Sequence, residues 1–117
     1  MEGTISYYWD TKSNEKFDWG ILLALINSKQ VGFIKYRLKK GGTGEIQLVR
    51  VLSHHRSRGI GEEMYKRLED RAKRLGVKRL IGTIGFRRIY GDPERAEVFW
   101  KRMGFTVTGY DMEKELS

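Results

Sequence analysis

Apolar and polar residues alternate along the first half of the chain with the period of two that marks β-strands, then switch to the spacing of helices. Residues 4 to 9 (Thr-Ile-Ser-Tyr-Tyr-Trp) predict a first strand, rich in β-branched and aromatic types, and 10 to 18 read as a polar loop. The runs 19–27 and 30–38, separated by Ser28-Lys29, predict a hairpin. Residues 39 to 44 have turn composition, and 45 to 52 predict a fourth strand. Within that strand Ile46 and Leu48 share one face under strict alternation, whereas Val49 and Val51 share the other. Either a bulge near Leu48 or Val49 restores a single apolar face, or the strand is covered on both sides.

From Gly59 onward the pattern changes. Ile60, Met64, Leu68, Ala72 and Leu75 recur on one stripe of an amphipathic helix, which Gly76 is suited to end. Residues 77 to 84 predict a strand, so strand, helix and strand form a βαβ unit with parallel strands and a right-handed crossover. Residues 85 to 92 form a loop that carries Arg87, Arg88 and Tyr90. Pro93 suits the first turn of a second helix, with Asp92 as N-cap and Ala96, Phe99, Trp100 and Met103 toward the core. After Gly104, residues 105–108 and 111–116 pair as a closing hairpin through Gly109-Tyr110. The fold class expected from this order is mixed α+β.

At 117 residues the chain is expected to form a single domain, 1–117, burying about two thirds of its unfolded surface. With 39% apolar and 12% aromatic residues it reads as globular. No apolar run approaches the roughly 18 residues of a membrane span, and the N-terminal residues lack a secretory pattern, so a soluble cytoplasmic protein is expected. The absence of cysteine removes disulfides, thiolate metal sites and a cysteine nucleophile together. His54 and His55 are adjacent and diverge, so no metal centre is expected. The net charge of +8 favours an anionic partner: a nucleic acid, an acidic protein or a polyanionic cofactor.

One stretch selects among these. Arg56-Ser57-Arg58-Gly59-Ile60-Gly61 follows the fourth strand and opens the long helix. Unpaired helix amides, the positive end of the helix dipole, two glycines that admit a bulky group and two arginines together make an anion site. It is not a Walker loop, since no Gly-Lys-Ser/Thr follows, and its midchain position does not fit a dinucleotide-binding unit.

Arg56-x-x-Gly59-x-Gly61 after an apolar strand, followed by Ala96-x-x-Phe99-Trp100-x-x-x-Gly104-Phe105, resembles the GNAT superfamily of acyl-CoA-dependent N-acyltransferases over residues 45 to 116. The closing Met112-Glu113-Lys114-Glu115-Leu116 is similar to many family C-termini. The resemblance implies a central, mostly antiparallel sheet splayed between strands four and five. It also implies acetyl-CoA as cofactor, its pyrophosphate on the backbone of Arg56, Ser57, Arg58, Gly59, Ile60, Gly61 and Glu62. Its pantetheine arm would lie along Val49, Arg50 and Val51, with the Val49 amide at the thioester oxygen and Phe99 and Trp100 beside it.

By the same likeness Glu45 matches the glutamate that serves as base in histone-acetylating members. A primary amine near pKa ~10 must lose a proton before it attacks, and a carboxylate on a half-buried strand is suited to accept it. The position where many members carry an acid tyrosine is Trp100, and indole cannot supply that proton. Tyr90 and Tyr110 are substitutes, as is water. The family's asparagine before the second helix is Pro93 here, and no pattern for the usual N-terminal helix pair precedes the second strand. That leaves an open acceptor side for a protein tail or exposed amine, or one completed by a partner or by a second subunit in a homodimer. An N-acetyltransferase is therefore expected. The alternatives are a CoA-binding module without turnover and a basic nucleic-acid binder.

Overall fold

The protein is described here from a computed structural model, in residues 3–52, 55, 59–84 and 93–116, apart from the side chains of Pro93 and Glu94. The elements run β1 (Ile5–Ser13), β2 (Phe17–Ile26), β3 (Lys29–Lys39), β4 (Thr43–Val51), α1 (Ile60–Arg74), β5 (Arg79–Thr83), α2 (Pro93–Arg102), β6 (Thr106–Thr108) and β7 (Asp111–Glu115). They form a seven-stranded sheet of order β1-β2-β3-β4-β5-β7-β6. Only β4 and β5 pair in parallel; the other neighbours are antiparallel. This is the mixed α+β sheet that the pattern predicts, with the βαβ unit at β4-α1-β5.

The segment 10–18 departs from the expected loop. β1 continues to Ser13 and β2 begins at Phe17, so only a tight turn remains between them. The Asn14 side-chain oxygen makes that turn by accepting the amides of Lys16 at 2.9 Å and Phe17 at 2.7 Å. Polar side chains are compatible with an edge strand because the ladder is made by the backbone, which composition does not report. The next turn holds Asn27 and Ser28, both at positive φ, one residue earlier than the expected Ser28-Lys29.

Both helices lie on one face of the sheet. α1 buries Ile60, Met64, Leu68 and Ala72 as its periodicity predicts, together with Tyr65, against Leu22, Ala24, Ile34, Tyr36 and Leu38. Tyr65, Trp100 and Phe105 form an edge-on aromatic cluster with centroids 5.1–5.6 Å apart, which joins α1 to α2 and to the start of β6. The opposite face, bearing Trp19, Ile21, Leu23 and Phe33, is covered by no element among the described residues.

One charged group is buried under α1. Asp18, 2% exposed, accepts hydrogen bonds from the Tyr36 hydroxyl at 2.8 Å and from Arg71 Nε and Nη2 at 2.9 and 2.8 Å. The Arg71 guanidinium also stacks over Trp9, and that of Arg67 over Tyr7. Thus one residue of the expected loop anchors the helix to the first three strands.

Candidate functional site

The fourth strand resolves its phase conflict by a bulge. Lys35 pairs with Leu48 and Tyr36 with Ile46, so Gln47 has no counterpart on β3. The extra residue turns Ile46, Val49 and Val51 to the same side, where the two valines pack against the core beneath α1. Of the two readings open from sequence, the bulge is the one adopted.

Beside the bulge, β4 and β5 part. Their pairing runs from Thr43↔Arg79 to Ile46↔Gly82 and ends there, although β4 continues to Val51. On the β5 side the chain is held by β7: the Ile84 amide donates to the Tyr110 carbonyl at 2.7 Å. β5 itself ends at Thr83, so from Gln47 onward β4 has no β5 residue paired beside it, and the slot runs along that stretch of β4.

The start of α1 stands at the end of β4. Gly59, at φ 75° in the left-handed region, supplies no side-chain cap, and its carbonyl accepts the Glu63 amide at 3.0 Å. The amides of Ile60, Gly61 and Glu62 precede the first intrahelical donor, the Glu63 amide, and point out of the helix end. The first-turn acids Glu62 and Glu63 are drawn toward Lys66 and Arg67 on the next turn, which leaves the dipole end receptive to an anion. A Cβ on Gly61 would stand 3.6 Å from the Phe99 ring and 3.7 Å from Val51, so β4, α1 and α2 converge at that residue.

The predicted site residues separate into groups. Val49, Arg50, Val51, Gly59, Ile60, Gly61, Glu62 and Phe99 all lie along the slot or at its helix end. Trp100 stands behind Phe99, buried in the aromatic cluster at 4.9 Å from the Phe99 centroid. Glu45 is exposed rather than half-buried: it precedes the last β4–β5 pair but turns to the uncovered face. Tyr110, 52% exposed, lies in the β6–β7 turn beside the β5 wall of the slot. The backbone of His55 closes a turn onto the Leu52 carbonyl at 2.8 Å. Arg56, Ser57, Arg58 and Tyr90, with His54, Arg87 and Arg88, lie outside the described residues. Among the described residues no acid and histidine cluster could hold a metal, and no helix is long and apolar enough to cross a membrane.

Sequence reasoning missed Tyr65, whose buried hydroxyl has the Glu69 carboxylate as its nearby polar neighbour but no hydrogen bond of full geometry. Burial, and then the nearby Glu69 carboxylate, push its pKa well above the usual tyrosine value. Its position next to Met64 on the helical stripe, opposite an aromatic-rich second helix, was the available signal. Tyr65→Phe is expected to change stability by no more than about 1 kcal/mol, since only a weak contact with Glu69 is removed and the ring contacts stay. Thermal melts of the two proteins check this; a large fall in melting temperature would show that the hydroxyl is firmly bonded to Glu69.

A sequence model of the family described as the Acetyltransferase (GNAT) family matches residues 2–105. No curated protein matches the chain significantly. Among solved structures, Ard1 from Thermoplasma volcanium superposes with a TM-score of 0.72 at 16% identity, covering 83% of this chain and 70% of its own. The PaiA N-acetyltransferase from Thermoplasma acidophilum, solved with coenzyme A, gives 0.71 at 18% identity, covering 86% of this chain and 62% of its own. Arabidopsis thaliana Naa50, in complex with the bisubstrate analogue CoA-Ac-MVNAL, gives 0.69 at 23% identity, covering 82% and 72%. These chains are all longer than the part that this protein spans.

Proposed function

Because the chain belongs to the acetyltransferase (GNAT) family of acyl-CoA-dependent N-acetyltransferases, we propose that it transfers acetyl directly to a primary amine. Both substrates are held at once, in one cytoplasmic domain of residues 1–117. The convergence of β4, α1 and α2 at Gly61 carries this reading, because it joins the stretch of β4 beyond its last β5 partner to a receptive helix end. Acetyl-CoA supplies an activated acyl thioester.

In this reading the amides of residues 56–62 receive the pyrophosphate, with Arg56 and Arg58 adding charge. The backbone of Val49, Arg50 and Val51 orients the pantetheine arm, and the Val49 amide donates to the thioester oxygen. Phe99 borders the arm. Glu45 accepts the amine proton on the uncovered face, and its exposure suits an acceptor that approaches from solvent. Tyr110 and Tyr90 are the candidate proton donors for the departing sulfur, whose thiol pKa near ~8.5 also permits water to serve.

Titration calorimetry with acetyl-CoA, followed by a CoA-release assay over a panel of amines, tests the proposal. Glu45→Gln is expected to cut turnover at least tenfold, about 1.4 kcal/mol in the barrier, with acetyl-CoA affinity nearly unchanged. Unaltered turnover would remove Glu45 from the mechanism.

A further inference from the structure

The uncovered face carries an ordered charge pattern. Strand register places Trp19, Arg37, Glu45, Ile81 and Glu113 in one row across it. Because every second residue of a strand shares a face, β2 contributes an apolar stripe through Trp19, Ile21 and Leu23. β3 contributes the cations Lys35, Arg37 and Lys39, whereas β7 contributes the acids Asp111, Glu113 and Glu115, of which Glu113 is ion-paired to Arg79 of β5 at 3.0 Å. Glu45 lies between the basic and acidic columns. The three β3 cations are exposed and make no ion pair among the described residues; Arg37 instead lies over the Phe17 ring at 4.0 Å, against the apolar stripe.

We propose that the acceptor is a polypeptide segment, acidic next to its amine and apolar beyond, laid across β4, β3 and β2 on this face. The proposal rests on the reading of Glu45 as the base. Strands are about 4.8 Å apart and an extended chain advances about 3.3 Å per residue. With its amine at Glu45, such a segment sets its next one or two side chains over β3 and the following ones over β2. Acidic side chains there meet Lys35 and Arg37, and apolar ones meet Trp19 and Ile21. In the opposite direction the Arg79 cation is already taken up by Glu113, and Asp111 and Glu115 add negative charge, so the β3 side is favoured. The net charge of +8 attracts acidic chains to the surface in the first place. A segment basic next to its amine meets like charge on β3.

The test uses the full chain with acetyl-CoA and peptides of equal length. One set begins with a free amine followed by Asp-Glu-Leu-Leu, another with Lys-Arg-Leu-Leu, and butylamine serves as a small acceptor. The acidic peptide is expected to show at least tenfold higher kcat/KM than the basic one. The double variant Lys35→Glu/Arg37→Glu, both positions exposed, is expected to invert that order while acetyl-CoA affinity is kept. Equal or better use of the basic peptide, or an order untouched by the charge reversal, overturns the proposal. So does acetylation of butylamine without any peptide, an outcome that leaves acetyl transfer itself standing; failure to bind acetyl-CoA removes both. Self-association that the same charge reversal abolishes assigns the face to a second copy and overturns the proposal as well.

Discussion

Asp18→Ala is expected to lower the stability of the fold by about 3–5 kcal/mol, because it leaves a guanidinium under the helix with its partner removed. For a chain of this size that corresponds to a fall of roughly 10–20 °C in Tm. The Asp18 carboxylate is 2% exposed and takes both forks of Arg71 as well as the Tyr36 hydroxyl. Burial raises its pKa, but the hydrogen bonds from Arg71 and Tyr36 outweigh that effect and hold it below the ordinary carboxylate value. The sign follows: its contribution is complete above the unfolded value of about 3.9 and is lost as pH falls through the lower folded value. Urea unfolding at pH 7 and at steps from pH 5 to pH 2 checks both parts. The variant should be weaker at pH 7 and should show a flatter acid limb than the parent. Arg71→Ala should behave alike, and the double variant should lose less than the sum of the two. An unchanged urea midpoint in Asp18→Ala would mean that the pair does not anchor α1. Such an anchor bears on function because the proposed cofactor site lies at the opposite end of α1.

Trp100→Ala is expected to cost about 3–5 kcal/mol as well, by opening a cavity among Tyr65, Phe99 and Phe105. Trp100→Phe keeps an aromatic ring in the cluster and leaves a smaller cavity, so it should cost about 1–2 kcal/mol. The pair of variants separates packing from cofactor contact. Phe99, not Trp100, approaches Gly61, so Trp100→Phe should leave acetyl-CoA affinity within about threefold. Chemical unfolding gives the first quantity and calorimetry the second. A large loss of affinity in Trp100→Phe, with stability kept, would place the indole against the cofactor instead.

The helices and most strands were legible because their side chains obey a period that burial imposes. α1 was readable from Ile60, Met64, Leu68 and Ala72, and Pro93 marked the start of α2 as expected. The phase slip between Leu48 and Val49 was visible, but local spacing could not tell a bulge from a strand covered on both sides. Burial of Asp18 was invisible, since its partner Arg71 lies more than fifty residues away and nothing near Asp18 announces it. The role of Trp100 was legible in the same partial way. Its motif pointed to the site, whereas its packing behind Phe99 depends on the angle at which α2 meets α1.

By itself the sequence determined the order of elements, the Gly-rich start of α1 and the family, because each is written in residues that are neighbours along the chain. Only the tertiary structure decided which way the side chains of β4 turn, where β4 and β5 part, and that Glu45 faces open water. It alone aligned Lys35, Arg37 and Lys39 on one side of Glu45 and Asp111, Glu113 and Glu115 on the other. The physical reason is that register between distant strands is set by the bulge and by the packing of the whole sheet, and neither has a local signature.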